Sequence, residues 1–273
     1  MRRSYHSKLI AVVRLLFLAT ASYTVATISP LAARADLVAQ YSFDGNAQDS
    51  SGFDNHGTVS GAVLTEDRFG NANSAYYFSG NGSHIAAVTN PVLTITNAIS
   101  IAAWVKVDGT TGDWQVIAGR WYDPTWPSVD NAYVLEINPD GDPSMTLSTG
   151  GTTPPIYSVS PQSIFASGWH HIVGTYDGAS QNVYVDGVLK NSRPTAGLIW
   201  ASSAPLWIGS HIVGWDANPF CGTIDDLRIY NHALSESEVG TLAAVPEPCS
   251  VLLGAIGLSS AVLAARRRRD MAA

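Results

Sequence analysis

Between residues 36 and 245, apolar and polar side chains alternate in short runs broken by Gly, Asp, Asn, Pro and Ser. Strand side chains project with period two, so each run can turn one face toward a core. The clearest run is Ser100 to Val107. There Ile101, Ala103, Val105 and Val107 share one face, and Ala102, Trp104 and Lys106 share the other. The same reading predicts strands over 37–43, 75–78, 84–88, 99–107, 115–120, 132–137, 144–148, 169–176, 182–185, 188–190, 206–209 and 222–230. No long 3.6-residue periodicity interrupts them, and no Pro- or Ser-rich linker divides the segment. Short strands separated by turn clusters predict an all-β antiparallel sandwich. About 210 residues suffice for a single core.

Two local signals sharpen this picture. Asp186-Gly187 separates Asn182-Val183-Tyr184-Val185 from Val188-Leu189-Lys190. Asp-Gly tolerates the positive φ values of a type I′ turn, whose twist suits antiparallel neighbours, so a hairpin is expected. Ser235-Glu236-Ser237-Glu238 is a capping box and predicts a short helix running through Leu242.

The two ends differ from this body. Residues 1–35 carry Arg2, Arg3 and Lys8, then an apolar stretch split by Arg14, then Ala33-Arg34-Ala35. A basic start, an apolar run and an A-x-A site form the pattern of an export signal, placing the mature start at Asp36. Arg14 breaks the run well short of the roughly 20 apolar residues a spanning helix needs. Residues 245–273 open with Val245-Pro246-Glu247-Pro248, continue through 17 uncharged residues (249–265) and end with Arg266, Arg267, Arg268 and Arg269. The uncharged run is at the short limit for a membrane span, and the arginines would stay cytoplasmic. This order closely resembles the PEP-CTERM sorting signal of Gram-negative bacteria. The resemblance implies an exosortase-type sorting enzyme as a partner and transient anchoring in the inner membrane. Three segments are therefore expected: 1–35, 36–244 and 245–273.

Charge is distributed accordingly. The chain carries a formal −7, but residues 36–245 hold six Lys/Arg against twenty Asp/Glu, about −14. Such a body lacks the cationic contacts to phosphate on which nucleic-acid binding depends. Cys221 lies in the body and Cys249 in the tail, so loss of the tail would leave no internal disulfide.

Several pieces of the body stand in a recognisable order. They are Tyr41-Ser42-Phe43-Asp44-Gly45, Asn55-His56-Gly57-Thr58 and Ala75-Tyr76-Tyr77-Phe78-Ser79-Gly80. Ile99 to Val105, Trp169-His170-His171-Ile172-Val173-Gly174-Thr175-Tyr176-Asp177 and the Asp186-Gly187 hairpin follow. Gly222-Thr223-Ile224-Asp225-Asp226-Leu227-Arg228-Ile229-Tyr230 and Ala233-Leu234-Ser235 close the set. In this order they resemble the laminin G-like jelly-roll family of the concanavalin A-like lectin/glucanase fold, over residues 37–243. The resemblance implies two antiparallel sheets packed face to face, a rim of loops that often holds carbohydrate, and a calcium ion near the joined ends of the chain.

The residues are then weighed as chemistry. Glycosidases use paired carboxylates, and the Glu-x-Asp-x-Glu pattern of the laminarinase-like members is absent. Glu136 stands alone on its strand, so no enzymatic activity is expected. Calcium takes carboxylate and carbonyl oxygens; the resemblance places a metal-contacting acid at Asp225, and Asp44, which follows the first strand, and the carbonyl of Gly80 are the further candidates. By strict alternation Asp225 shares a face with Leu227 and Ile229, where an unpaired charge is costly and needs a partner or a cation. The Asp-rich stretch 49–55 reads equally as a turn. For a sugar, the loop 119–131 offers Arg120, Trp121, Tyr122, Trp126 and Asp130, and Trp215 marks a second loop. Rings that cover C–H groups beside side chains that bond hydroxyls suit such a ligand. The competing reading packs these rings onto the sandwich. Trp104, Trp169 and Trp207 read as packing residues. His170 and His171 point to opposite faces, which predicts one buried and hydrogen-bonded and the other solvated. The expected role is a non-catalytic protein of the bacterial surface or matrix that binds extracellular polysaccharide. The rival classes are an adhesion protein with a protein partner, and a glycoside hydrolase.

Overall fold

The computed structural model describes residues 37–121, 130–149, 155–165, 168–211 and 218–244. In chain order the strands begin with β1 (Leu37–Tyr41), β2 (Gly57–Ser60), β3 (Val63–Thr65), β4 (Ala75–Ser79) and β5 (His84–Ala87). Then come β6 (Ile99–Val107), β7 (Gln115–Arg120), β8 (Tyr133–Ile137), β9 (Pro143–Leu147) and β10 (Ile156–Val159). The last are β11 (Trp169–Tyr176), β12 (Ser180–Val185), β13 (Val188–Pro194), β14 (Leu206–Ile208) and β15 (Cys221–Tyr230), followed by helix α1 (Glu236–Ala244). Among the described residues no helix is long and apolar enough to cross a membrane. The export and sorting segments expected at 1–35 and 245–273 lie outside the described residues.

The strands form two antiparallel sheets. One has eight strands in the order β13-β12-β11-β6-β15-β4-β3, with β1 also beside β15. The other has seven, β10-β9-β8-β7-β14-β5-β2. Ile99, Ile101, Ala103, Val105 and Val107 of β6 share one buried core with Tyr133, Leu135 and Ile137 of β8, so the predicted apolar face of β6 is the inward one. The other face of β6 carries Ala102, which packs with Val173, Tyr184, Leu234 and Val239 beneath α1. Helix α1 begins at the predicted box: the Ser235 amide donates to Glu238 Oε2 at 2.8 Å. The hairpin is also as expected. Asp186 and Gly187 have φ of 53° and 79°, and Val185 faces Val188.

Every predicted strand is present, with ends shifted by a few residues. Three strands were not foreseen: β2, β3 and β10. All three lie at sheet edges. An edge strand has one neighbour and buries little, so its sequence need not alternate, and β2 and β3 are largely open to solvent.

Strand β15 requires a correction. Alternation placed Asp225 with Leu227 and Ile229. In the structure Ile224, Leu227 and Ile229 enter the core, whereas Asp225 lies opposite Trp104 on the outer side. A bulge between Asp225 and Arg228 in the pairing with β6 reverses the parity, and Asp226 adopts φ of 47° there. The bulge falls where β15 changes neighbours on its other edge. Residues Cys221 to Ile224 pair with β4, and Leu227 to Tyr230 pair with β1.

Candidate functional site

The outward face of the seven-stranded sheet is built by strand register. One row of facing residues crosses it: Tyr157, Thr146, Val134, Gly119, Trp207, Ala86 and Thr58. Their neighbours along the strands point into the core, so this row lies on the opposite face, where Thr146, Val134 and Gly119 are nonetheless buried and Tyr157 and Trp207 at the sides are more open. The floor at Gly119 is flat by necessity. A Cβ there would stand 2.5 Å from the Tyr133 carbonyl oxygen and 2.7 Å from Val134 Cα. Beside the row, Val159, Ser144, Glu136 and Val116 form a second one.

Rings stand on this floor in three groups. Trp114 and Tyr157 lie 5.2 Å apart at one side. Trp207 and His84 lie 5.2 Å apart, nearly perpendicular, at the other. Trp121 packs on Val116 and Val134 and stacks on His211 at 6.3 Å. Trp121 and His211 border the segments 122–129 and 212–217, so the bases of the two loops singled out in the sequence meet here.

Polar groups lie between the rings. Glu136 is 4% exposed, and Thr146 Oγ1 donates to its Oε1 at 2.6 Å. Burial pushes its pKa up to about 8, against the pull of the Thr146 bond, so the carboxyl is protonated at neutral pH. Its cross-strand neighbours are Ser144 and Val116, neither of them an acid. His211 is buried and therefore neutral, its pKa driven down to about 3. His211 Nδ1 and Trp207 Nε1 are both buried without a hydrogen-bond partner.

The structure distributes the sequence-derived residues unequally. Trp121 faces this surface. Asp130 accepts from the Ser203 amide and hydroxyl, both at 2.9 Å, and so ties the end of its loop to the segment before β14. Arg120 turns the opposite way. It is 1% exposed, its Nε donates to the Ala204 carbonyl at 2.6 Å, and one terminal nitrogen donates to Thr94 Oγ1 at 2.9 Å. Its guanidinium braces the interior beside Tyr133. Tyr122, Trp126 and Trp215 lie outside the described residues. Sequence reading passed over Trp114, Tyr157 and His211 and took Trp207 for packing. Leu206 and Ile208 flank Trp207 and are buried in the core, so alternation alone signalled an outward ring.

Among the residues directed toward calcium, the structure gives Asp225 a different partner. Asp225 is 1% exposed, and Arg68 donates to it at 2.6 Å and to Asp226 at 2.9 Å. The partner that a buried acid requires is thus a guanidinium, which also lies 4.8 Å over the Trp104 ring. Burial and the Asp226 charge push the Asp225 pKa up, and Arg68 pulls it back. Asp44 is exposed beyond β1, and Gly80 donates its amide to the Phe220 carbonyl. No group of three or more His, Cys, Asp or Glu among the described residues is placed to hold a metal. The stretch 49–55 is a turn: Asp49 accepts from the amides of Gln40, Ser51 and Asn55 and from the Ser51 hydroxyl. The histidine pair also differs from expectation. The buried His171 packs on Trp104 with Nδ1 unpaired, while the less buried His170 pairs with Asp186 at 2.8 Å.

Comparison with known proteins agrees with this architecture. No curated protein matches the sequence. Among solved structures, domain 4 of AbnA, a GH43 extracellular arabinanase from Geobacillus stearothermophilus solved with arabinotriose, is 27% identical. The likeness has a TM-score of 0.61 and covers 76% of this chain and 98% of that one. The binding domain of Paraclostridial Mosquitocidal Protein 1 is 18% identical, with a TM-score of 0.61 over 77% of this chain and 52% of that one. The binding domain of botulinum neurotoxin serotype D is 17% identical, with a TM-score of 0.58 over 77% and 51%. The chain spans about half of these two toxin chains, and at such identity the likeness is one of fold. A model of the laminin G type, described as concanavalin A-like lectin/glucanases superfamily, matches residues 79–240, more than half of the chain, and the protein therefore belongs to that superfamily.

Proposed function

We propose that this is a non-catalytic carbohydrate-binding protein whose ligand lies along the outward face of the seven-stranded sheet. The observation that carries the reading is the line of rings, Tyr157 and Trp114 at one side and Trp207 with His84 at the other, across a floor kept flat by Gly119. Flat rings cover the C–H faces of a sugar, the apolar contact on which such a site is built. Trp121 extends the surface at the base of its loop, and Tyr122, Trp126, Asp130 and Trp215 are the further contacts proposed from the sequence. The likeness to an extracellular domain solved with arabinotriose supports the same reading. A binding role rather than hydrolysis is supported by Glu136, which is protonated and has no carboxylate among its cross-strand neighbours.

The export signal at 1–35 and the sorting tail at 245–273 would deliver the body 36–244 to the surface or matrix of a Gram-negative cell. An exosortase-type enzyme would process the tail there.

The test is a glycan array probed with the protein and with W114A/Y157A and W207A variants. Each variant should weaken retention by at least about tenfold, the loss typical of a central aromatic anchor. Undiminished retention by both variants, with folding intact by circular dichroism, removes this face as the site.

A further inference from the structure

We infer that the ligand of this face is an electrically neutral glycan, and that polyuronates and sulfated chains are excluded from it. The inference rests on the binding face proposed above and concerns which sugars that face accepts.

Its basis is the position of every cation in the body. Residues 36–245 contain six: Arg68, Lys106, Arg120, Lys190, Arg193 and Arg228. Arg68 and Arg228 are committed to Asp225 and Asp226 on the outer side of the eight-stranded sheet. Lys106 lies in β6 of that same sheet, facing Trp169 and Thr223. Arg120 is sealed in the interior. Lys190 and Arg193 belong to β13, the edge of the eight-stranded sheet. Arg193 is the cation nearest the rings, and it donates to the Tyr157 carbonyl at 2.6 Å. The strands of the seven-stranded sheet thus contribute one basic side chain, Arg120, and that one points inward. The sequence of 122–129, 150–154 and 212–217, which lie outside the described residues, contains no Lys or Arg.

His211 does not supply positive charge either. His211 is neutral because burial depresses its pKa. Glu136 is protonated and offers a carboxyl hydrogen-bonding group rather than a charge. A carboxylate or sulfate laid on the floor between these rings would leave water without a cation there to meet it, since Arg193 stands at the edge by the Tyr157 carbonyl, and that transfer costs far more than the same step for a hydroxyl. It would also approach a body of about −14 net charge. A neutral sugar incurs neither penalty.

The test uses the full chain and the W114A/Y157A variant against immobilised neutral chains (arabinan, xylan, mixed-linkage glucan) and anionic ones (polygalacturonate, alginate, dextran sulfate). Each is run at 20 and 500 mM NaCl, with EDTA and with calcium. The inference predicts retention on at least one neutral chain, changing by less than about twofold with salt, since an uncharged contact is not screened. Anionic chains should be held at least about tenfold more weakly at low salt. The W114A/Y157A variant should lose the neutral ligand. Retention of an anionic chain that the variant abolishes, with or without calcium, overturns the inference and leaves the binding face standing. Retention that the variant does not alter, or no retention on any chain, removes the face itself and the inference with it.

Discussion

Glu136 should make the stability of this fold fall as pH rises, and replacing it with glutamine should abolish that slope. Its folded pKa is about 8, against an ordinary value of 4.5. A raised carboxyl favours folding fully below pH 4.5, because both states then bind the proton. Between pH 4.5 and 8 the unfolded chain releases it and the native protein does not, so stability drops by about 1.4 kcal/mol per pH unit. At pH 7 the accumulated cost is about 3 kcal/mol. Glu136→Gln keeps the shape and the acceptor that Thr146 meets but removes the titration. Urea unfolding followed by tryptophan fluorescence, at several pH values from 4.5 to 8.5, gives the difference between variant and parent. It should be near zero at the acid end, grow steadily toward about 3 kcal/mol at pH 7, and level off above pH 8. A constant difference across this range would mean that Glu136 is ionised in the folded protein, and the picture of a dry, uncharged sheet face would fall.

Three further outcomes can be measured. Arg68→Met should cost about 3–5 kcal/mol in urea unfolding by stranding Asp225, while Arg68→Met/Asp225→Leu should recover most of the loss. His171 and His211, lowered to about 4 and 3, favour folding above pH 6.5 and lose that contribution as pH falls, so His171→Gln/His211→Gln should flatten the acid limb of the Tm profile between pH 6 and 4.5. Gly119→Ala should destabilise by about 2 kcal/mol or more because its Cβ meets backbone atoms of β8, whereas Gly109→Ala, which meets nothing, should stay within about 0.5 kcal/mol by the same assay.

The sandwich was legible because central strands such as β6 are squeezed between neighbours and must alternate. Its turns were legible where one chemistry dominates, as at Asp186-Gly187. Alternation failed at Asp225 for a physical reason: a single bulge residue reverses parity, and nothing in Asp225-Asp226-Leu227 announces it. The partner of Asp225 was equally hidden, since Arg68 lies far away in sequence and arrives through the connection from the edge strand β3 to β4. The site divided along similar lines. Loops rich in Trp, Pro and Asp drew attention by composition, and Trp121 does face the sheet. The rings rising from the strands themselves, Tyr157 and Trp207, were less conspicuous because each sits among residues that read simply as sheet. Arg120 looked like a hydroxyl-binding cation from its neighbours, but its place in the strand alternation turns it inward beside Tyr133.

Leu37 of β1 is paired with Tyr230 of β15, near the far end of the body. Nearly the whole polypeptide must therefore be made before its opening segment has anywhere to dock. Until then β1, with Val38, Ala39 and Tyr41 destined for the interior, has no template. Such distant closure slows folding, because the entropy of a long loop is lost before the contact rewards it. A chain assembled this way remains threadable through a narrow pore for as long as its final strand is held back.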